Sequence, residues 1–170
     1  MRIVIDMQGA QTVSRFRGIG RYTLNLAKAL ARNRGRHEIY LVLNGLFTDT
    51  IEPIRTAFDE LLPQENIRIF SATGHVSKIY LGNKSRREVS EFLREAFLES
   101  LNPDIIHICS LFEGYLDDAV TSIGLLGGAT PVSVTFHDLI PLLNYEHFLK
   151  QNKTFSAYYH SKLAFLRRAS

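Results

Sequence analysis

The stretch Arg15-Phe16-Arg17-Gly18-Ile19-Gly20-Arg21-Tyr22 follows an apolar run, Arg2-Ile3-Val4-Ile5-Asp6, and leads into Leu26, Ala27 and Leu30 at helical spacing. A strand, a glycine-bearing turn and a helix, in that order, open a parallel α/β sheet. Glycines at the junction let the backbone bend tightly and bring its N–H groups close to a ligand. A helix starting near Gly20 presents unpaired N–H donors and the positive end of its dipole, both suited to an anion. The charges agree: seven of the 20 Lys and Arg, and none of the 17 Asp and Glu, fall between Met7 and His37. Arg17, Gly18, Ile19, Gly20 and Arg21 are the candidate phosphate-facing set. A plainer reading stands beside it, in which the glycines only make the turn and the arginines lie on a solvated face.

Two better-known phosphate loops are excluded. The dinucleotide fingerprint would need a third glycine where Thr23 stands, and a P-loop would need Gly-Lys-Ser or Gly-Lys-Thr, which does not follow. A nucleotide-dependent oxidoreductase is disfavoured for the same reason, and because no acid stands near Leu43-Asn44 at the end of the second strand.

Working outward, strand-like runs alternate with helical patterns. Strands are predicted at Glu38–Leu43, Ile67–Phe70, Asp104–Cys109 and Pro131–Phe136. Helices are predicted from Ile51 to Leu62, from a capping box at Ser85–Glu88, weakly over Asp118–Ile123, and from about Thr154 to Ala169. The helix after the capping box should bury Val89, Phe92, Leu93, Ala96 and Phe97. The fold class is a Rossmann-like open, mainly parallel sheet of about five strands, order 3-2-1-4-5, with helices on both faces. With no repeat or linker-like stretch, residues 1–170 read as a single domain.

In such a sheet a ligand sits beyond the carboxyl ends of the strands where strand order reverses. The glycine-arginine loop, the loop Ser110–Gly114 and the pair His137-Asp138 would rim that crevice. His137 and Asp138 are placed to hydrogen-bond a substrate hydroxyl or phosphate, or else His137 is packed at a strand end with its nitrogens satisfied locally. Glu113 is either a sugar-hydroxyl acceptor or a solvated loop acid. His107, inside an apolar strand, reads as a near-core histidine, and Cys109 as buried.

Composition bounds the function. Hydrophobic content of 45%, charged content of 22% and a net charge of +3 suit an ordinary globular domain and give no case for a nucleic-acid binder. One cysteine allows no internal disulfide, the histidines lack metal-site spacing, and no signal-peptide core or spanning run is found. The expectation is a cytoplasmic protein without metal or cofactor. The closing helix, with its tyrosines and basic residues, is a candidate for peripheral contact with an anionic membrane, with core packing preferred.

Taken together, Ile-Asp6-Met-Gln, Arg-Gly18-Ile-Gly20-Arg-Tyr22, Ser110-Leu-Phe-Glu113-Gly and Phe-His137-Asp-Leu-Ile-Pro141, in this order and spacing, resemble the N-terminal domain of family 4 glycosyltransferases with the two-domain GT-B fold. The resemblance implies retaining transfer of a sugar from a nucleotide-sugar donor to a hydroxyl of a glycan or lipid-linked acceptor, without a metal. It implies that Gly18 and Gly20 face the donor phosphates, that His137 contacts the sugar near the reacting centre, and that Glu113 touches the acceptor. The style is most like bacterial polysaccharide mannosyltransferases, which points to GDP-mannose. The family's C-terminal donor domain is absent from these 170 residues, so a missing C-terminal domain is an expected partner, and an unpaired sheet edge would favour dimers. The rival is a non-catalytic module that binds a phosphorylated or sugar ligand in the same crevice.

Overall fold

Five parallel strands run in the order β3-β2-β1-β4-β5. The structure, a computed structural model, describes residues 1–170. The strands are β1 (Arg2–Asp6), β2 (Glu38–Asn44), β3 (Ile67–Phe70), β4 (Ile105–Ile108) and β5 (Val132–Val134). The helices are α1 (Gly18–Arg32), α2 (Thr48–Ala57), α3 (Lys84–Ser100), the short α4 (Ile140–Leu143) and α5 (Tyr145–Phe148), and α6 (Lys153–Leu166). The Rossmann-like α/β reading and its strand order hold.

The alternation of β1 explains the layers. Ile5 packs with Ala27 and Ala31 of α1, Leu41 and Leu43 of β2 and Ile54 of α2 on one face. Val4 faces the other way, with Val42, Phe70, Ile106, Ile108 and Leu98 of α3, and Phe165 and Leu166 of α6 close that layer. Successive side chains of a strand point to opposite faces, so both layers are dry and both strand faces read as apolar. The N–H of Ser170 donates to the carbonyl of Val132 at 2.9 Å.

Four sequence expectations are corrected. α3 was expected to bury Val89, Phe92 and Leu93, but these are exposed, while Ser90, Arg94, Glu95 and Leu98 face inward. The cause is Asp6, a buried carboxylate at the end of β1. Arg94 answers it with Nε donating to Oδ2 at 2.7 Å, and neither side chain is more than 2% exposed. A buried charge without a partner costs several kcal/mol, of order 3–5, so the ion pair fixes the helix rotation over the apolar stripe. The capping box is also unused, since Asn83 rather than Ser85 precedes the first residue of α3, Lys84.

The segment 118–123 is not helical. Its main chain is held by Gln8, which accepts from Val120 N–H at 2.8 Å and donates to the Val120 carbonyl at 2.6 Å. That two-way bond mimics a strand pairing and satisfies groups a helix would have paired internally. α2 likewise ends at Ala57, not at Leu62, and Pro53 lies inside it rather than in its first turn.

Candidate functional site

The loop after β1 is two short 3-10 turns, Gln8–Ala10 and Val13–Phe16, leading straight into α1. Gly20 is required by a close approach: a Cβ there would meet Arg15 Cα at 2.2 Å and the Ser14 carbonyl oxygen at 2.6 Å. At Gly18 an added Cβ meets nothing within 4 Å. The first glycine of the motif is free of packing duties, and the second is locked by them.

Arg17 caps α1 in an extended conformation with no side-chain cap bond. The N–H groups of Gly18, Ile19 and Gly20 have no acceptor in the protein, the first main-chain bond of the helix being Arg21 N–H to the Arg17 carbonyl at 3.2 Å. These orphan donors carry the positive end of the helix dipole. Arg17 and Arg21 are exposed. Arg21 lines an open cleft of about 400 Å³ between α1 and α2, with Arg15, Phe16, Pro53 and Ile54. Arg15 is spent elsewhere, on Asp49 at 2.8 Å and on the Gln11 carbonyl at 3.0 Å.

His137 comes to this loop from the far side of β4. Its ring meets Tyr22 of α1 edge-on, with centroids 5.2 Å apart and planes at 84°. His137 Nε2 lies 2.8 Å from the Cys109 carbonyl oxygen, so it must donate, and the Nδ1 edge has no protein partner. The Tyr22 hydroxyl sits 3.3 Å from Thr135 Oγ1, which is 3.2 Å from His107 Nε2. The other nitrogen of His107 is 2.7 Å from Ser133 Oγ. His107 is thus half-buried with both nitrogens engaged, and burial lowers its pKa. Tyr22 and Thr135 were not singled out in the sequence, although Tyr22 closes the quoted motif.

Glu113 is neither solvated nor open to a ligand. Only 5% exposed, its carboxylate accepts from Thr12 at 3.0 Å, Ser14 at 3.2 Å and Ser110 at 3.0 Å. Burial, and then the nearby Asp117 charge, push its pKa up to about 7, against the pull of the three hydroxyls. It ties the loop after β1 to the loop after β4. Three hydroxyl residues around one acid were the available signal, but two of them, Thr12 and Ser14, lie about a hundred positions from it, and only Ser110 is near in sequence. Gly114, at φ +93°, is required beside it, since a Cβ would meet the Ala119 carbonyl oxygen at 2.4 Å.

Asp138 caps its own chain, accepting from Ile140 N–H at 2.9 Å. Adjacent tyrosines of α6 brace the two outer loops. Tyr158 donates to the Glu113 carbonyl at 3.0 Å and Tyr159 to the Asp138 carbonyl at 2.7 Å. Those rings are buried, as core packing of this helix required, and the membrane role considered for α6 loses its aromatic anchors. Cys109 is buried, which pushes its thiol pKa up. No three His, Cys, Asp or Glu side chains converge as a metal site.

A floor of buried polar groups supports the loops. Asn44, at the end of β2, donates to and accepts from the Gln11 side chain through its main chain, at 2.7 and 3.1 Å respectively. Its amide donates to Gln8 at 3.0 Å, and Gln8 in turn bonds Asp6. These residues are interior and fully used. The residues expected to rim one crevice therefore separate: Gly18 is exposed, Ile19 and His137 are half-buried, and Gly20 and Glu113 lie beneath the surface.

The profile described as Glycosyltransferase Family 4 matches residues 16–170. The chain belongs to glycosyltransferase family 4. Among curated proteins, it is 35% identical over 170 residues to a serotype-specific mannosyltransferase WbdA of Escherichia coli, covering 99% of this chain and 20% of that protein. A second WbdA of Escherichia coli is 32% identical over 145 residues, covering 85% of this chain and 18% of that protein. The chain thus spans about a fifth of the length of these relatives. No solved structure matches it significantly. No helix is long and apolar enough to cross a membrane.

Proposed function

We propose that residues 1–170 are the acceptor-side domain of a retaining glycosyltransferase, using a nucleotide-sugar donor, GDP-mannose in the first instance, and a glycan or lipid-linked glycan hydroxyl as acceptor. The observation that carries this reading is that Tyr22, in the second turn of α1, packs edge-on against His137 with its open Nδ1 edge, while three N–H groups at the start of the same helix have no acceptor.

The chemistry follows from where charge develops. As the sugar leaves, negative charge grows on the nucleoside diphosphate, and fixed N–H donors at Gly18, Ile19 and Gly20 oppose it without reorganising. Arg17 and Arg21, exposed beside them, add attraction that salt screens. His137, held by its Nε2–H to the Cys109 carbonyl, offers Nδ1 to a hydroxyl of the sugar. Glu113 acts through the loop it ties down rather than by touching acceptor, and Asp138 holds the turn that follows His137. This reading gives the contacts to base and ribose to another domain, and the 170 residues alone should transfer nothing.

The test is a transfer assay on a longer protein carrying this domain, with several nucleotide sugars and an oligosaccharide acceptor. Transfer from GDP-mannose with the anomeric configuration kept supports the reading. Transfer with inversion contradicts the retaining mechanism. No transfer from any donor, with sugar phosphates still bound, would make this a binding module.

A further inference from the structure

We propose that Tyr22 is a positioning residue, which holds the His137 ring in the orientation that keeps Nδ1 free for a ligand and is itself anchored through Thr135 to the sheet. The proposal rests on the reading above, in which His137 meets the sugar, but its first test needs no transfer.

His137 is under-determined by its own hydrogen bond. The contact from Nε2 to the Cys109 carbonyl oxygen, at 2.8 Å, fixes one ring atom and leaves the rest of the ring to turn about it. The residue lies beyond β5, in a stretch without regular structure, and is only half-buried. The ring of Tyr22 blocks that turn. It meets the imidazole edge-on, at 5.2 Å and 84°, a preferred arrangement for two aromatic rings.

Tyr22 would be a poor brace without an anchor, because it is 42% exposed. Its hydroxyl lies 3.3 Å from Thr135 Oγ1, and Thr135 is fixed twice over. The Thr135 N–H donates to the Ile108 carbonyl at 3.0 Å, extending the ladder past β5, and its Oγ1 lies 3.2 Å from His107 Nε2. His107 Nδ1 is 2.7 Å from Oγ of Ser133, its register partner on β5. Burial favours the neutral form of His107, with one donor and one acceptor nitrogen. The row Tyr22, Thr135, His107, Ser133 therefore closes with a donor facing an acceptor at each step. Ile5, the partner of His107 on β1, packs in the apolar layer under α1, so this polar row interrupts an otherwise apolar sheet face.

Tyr22 also stands two positions after Gly20. The helix whose first N–H groups lack acceptors thus carries the ring that orients His137, and one rigid element sets both.

The test begins with the histidine side chains of the 170-residue chain, labelled with nitrogen-15 and read by long-range proton–nitrogen NMR, with circular dichroism checking the fold. His137 of the parent should show one neutral tautomer, Nε2 protonated and Nδ1 bare. In Tyr22→Leu its two nitrogens should move toward the average of both tautomers. Tyr22→Phe and Thr135→Val cut the same anchor, so each should give a smaller shift of the same sign, and the double variant no more than either. In a longer protein that transfers sugar, Tyr22→Leu should lower kcat per folded molecule roughly ten- to a hundredfold, the scale of a misplaced group, with KM little changed. In the His137→Ala background it should cost nothing further. His137 nitrogens unmoved by Tyr22→Leu, or kcat losses from Tyr22→Leu and His137→Ala that multiply, would overturn the proposal. Transfer absent from the longer protein, with the nitrogens responding as expected, would support the hold of Tyr22 on His137 and contradict the transferase reading instead.

Discussion

The rings of Tyr22 and His137 meet edge-on, with centroids 5.2 Å apart, although the two residues lie 115 positions apart in the chain. This contact joins the amino end of α1 to the segment after β5, across the position where strand order reverses between β1 and β4. One side brings unpaired N–H donors, and the other brings a ring whose Nε2 is already used and whose Nδ1 is not.

His137→Ala, in a longer protein that transfers sugar, should lower turnover per folded molecule by roughly ten- to a thousandfold, the range for losing a transition-state donor or acceptor. Thermal melting of the 170-residue domain should change little, because the ring is only partly buried. Loss of folding with turnover per folded molecule unchanged would make the histidine structural.

The two glycines of the loop should part company. Gly20→Ala drives a methyl into Arg15 and Ser14 backbone and should cost about 1–3 kcal/mol. Gly18→Ala should stay within about 0.5 kcal/mol of the parent, because the added carbon meets nothing. If phosphate approaches Gly18 closely, that same silent substitution should still weaken donor use. Urea unfolding beside steady-state kinetics separates the two effects.

Glu113 gives a pH dependence of known sign. Its folded pKa of about 7 lies above its ordinary 4.5. The folded chain therefore holds a proton that the unfolded chain releases, and this contribution is present below 4.5 and lost as pH rises through 7. Glu113→Gln removes that loss, on the order of 2–4 kcal/mol across the window. Urea unfolding at pH 5 and pH 8 should show a flatter profile for the variant. Equal slopes would mean that Glu113 is ionised in the fold throughout.

Arg94→Ala should be among the most damaging single changes. It leaves Asp6 buried without its cation, at a cost of about 3–5 kcal/mol. Asp6→Leu combined with Arg94→Met should cost less than Arg94→Ala alone, because no charge remains unpaired. Unfolding curves of the three chains decide this, and additive losses would contradict it.

Much of the fold was legible because each strand is a short apolar run bounded by turn residues. Ile67–Phe70 and Arg2–Asp6 are found where their composition puts them. The face of α3 was not legible. Val89, Phe92, Leu93, Ala96 and Phe97 have helical periodicity, but the helix is turned by the Arg94–Asp6 pair, and periodicity does not see a buried charge 88 positions away. The segment 118–123 failed similarly, because Gln8 supplies its main-chain bonds from across the sheet. In the site, the α1 turn and His137 could be found from local motifs and the strand-end rule. Glu113 was placed in the right loop with the wrong surroundings, since Thr12, Ser14 and Ser110 converge on it only after folding.

The most direct test of the site is an amide NMR titration of residues 1–170 with GDP and GDP-mannose, with a parallel run in inorganic phosphate. Selective shifts at the N–H groups of Gly18, Ile19 and Gly20, joined by His137 when the sugar is present, are expected with a dissociation constant near or above 1 mM, about −4 kcal/mol. Unchanged amides at Gly18–Gly20 under saturating ligand, or micromolar binding whose shifts lie elsewhere in the domain, would contradict the assignment of the donor phosphates to the amino end of α1.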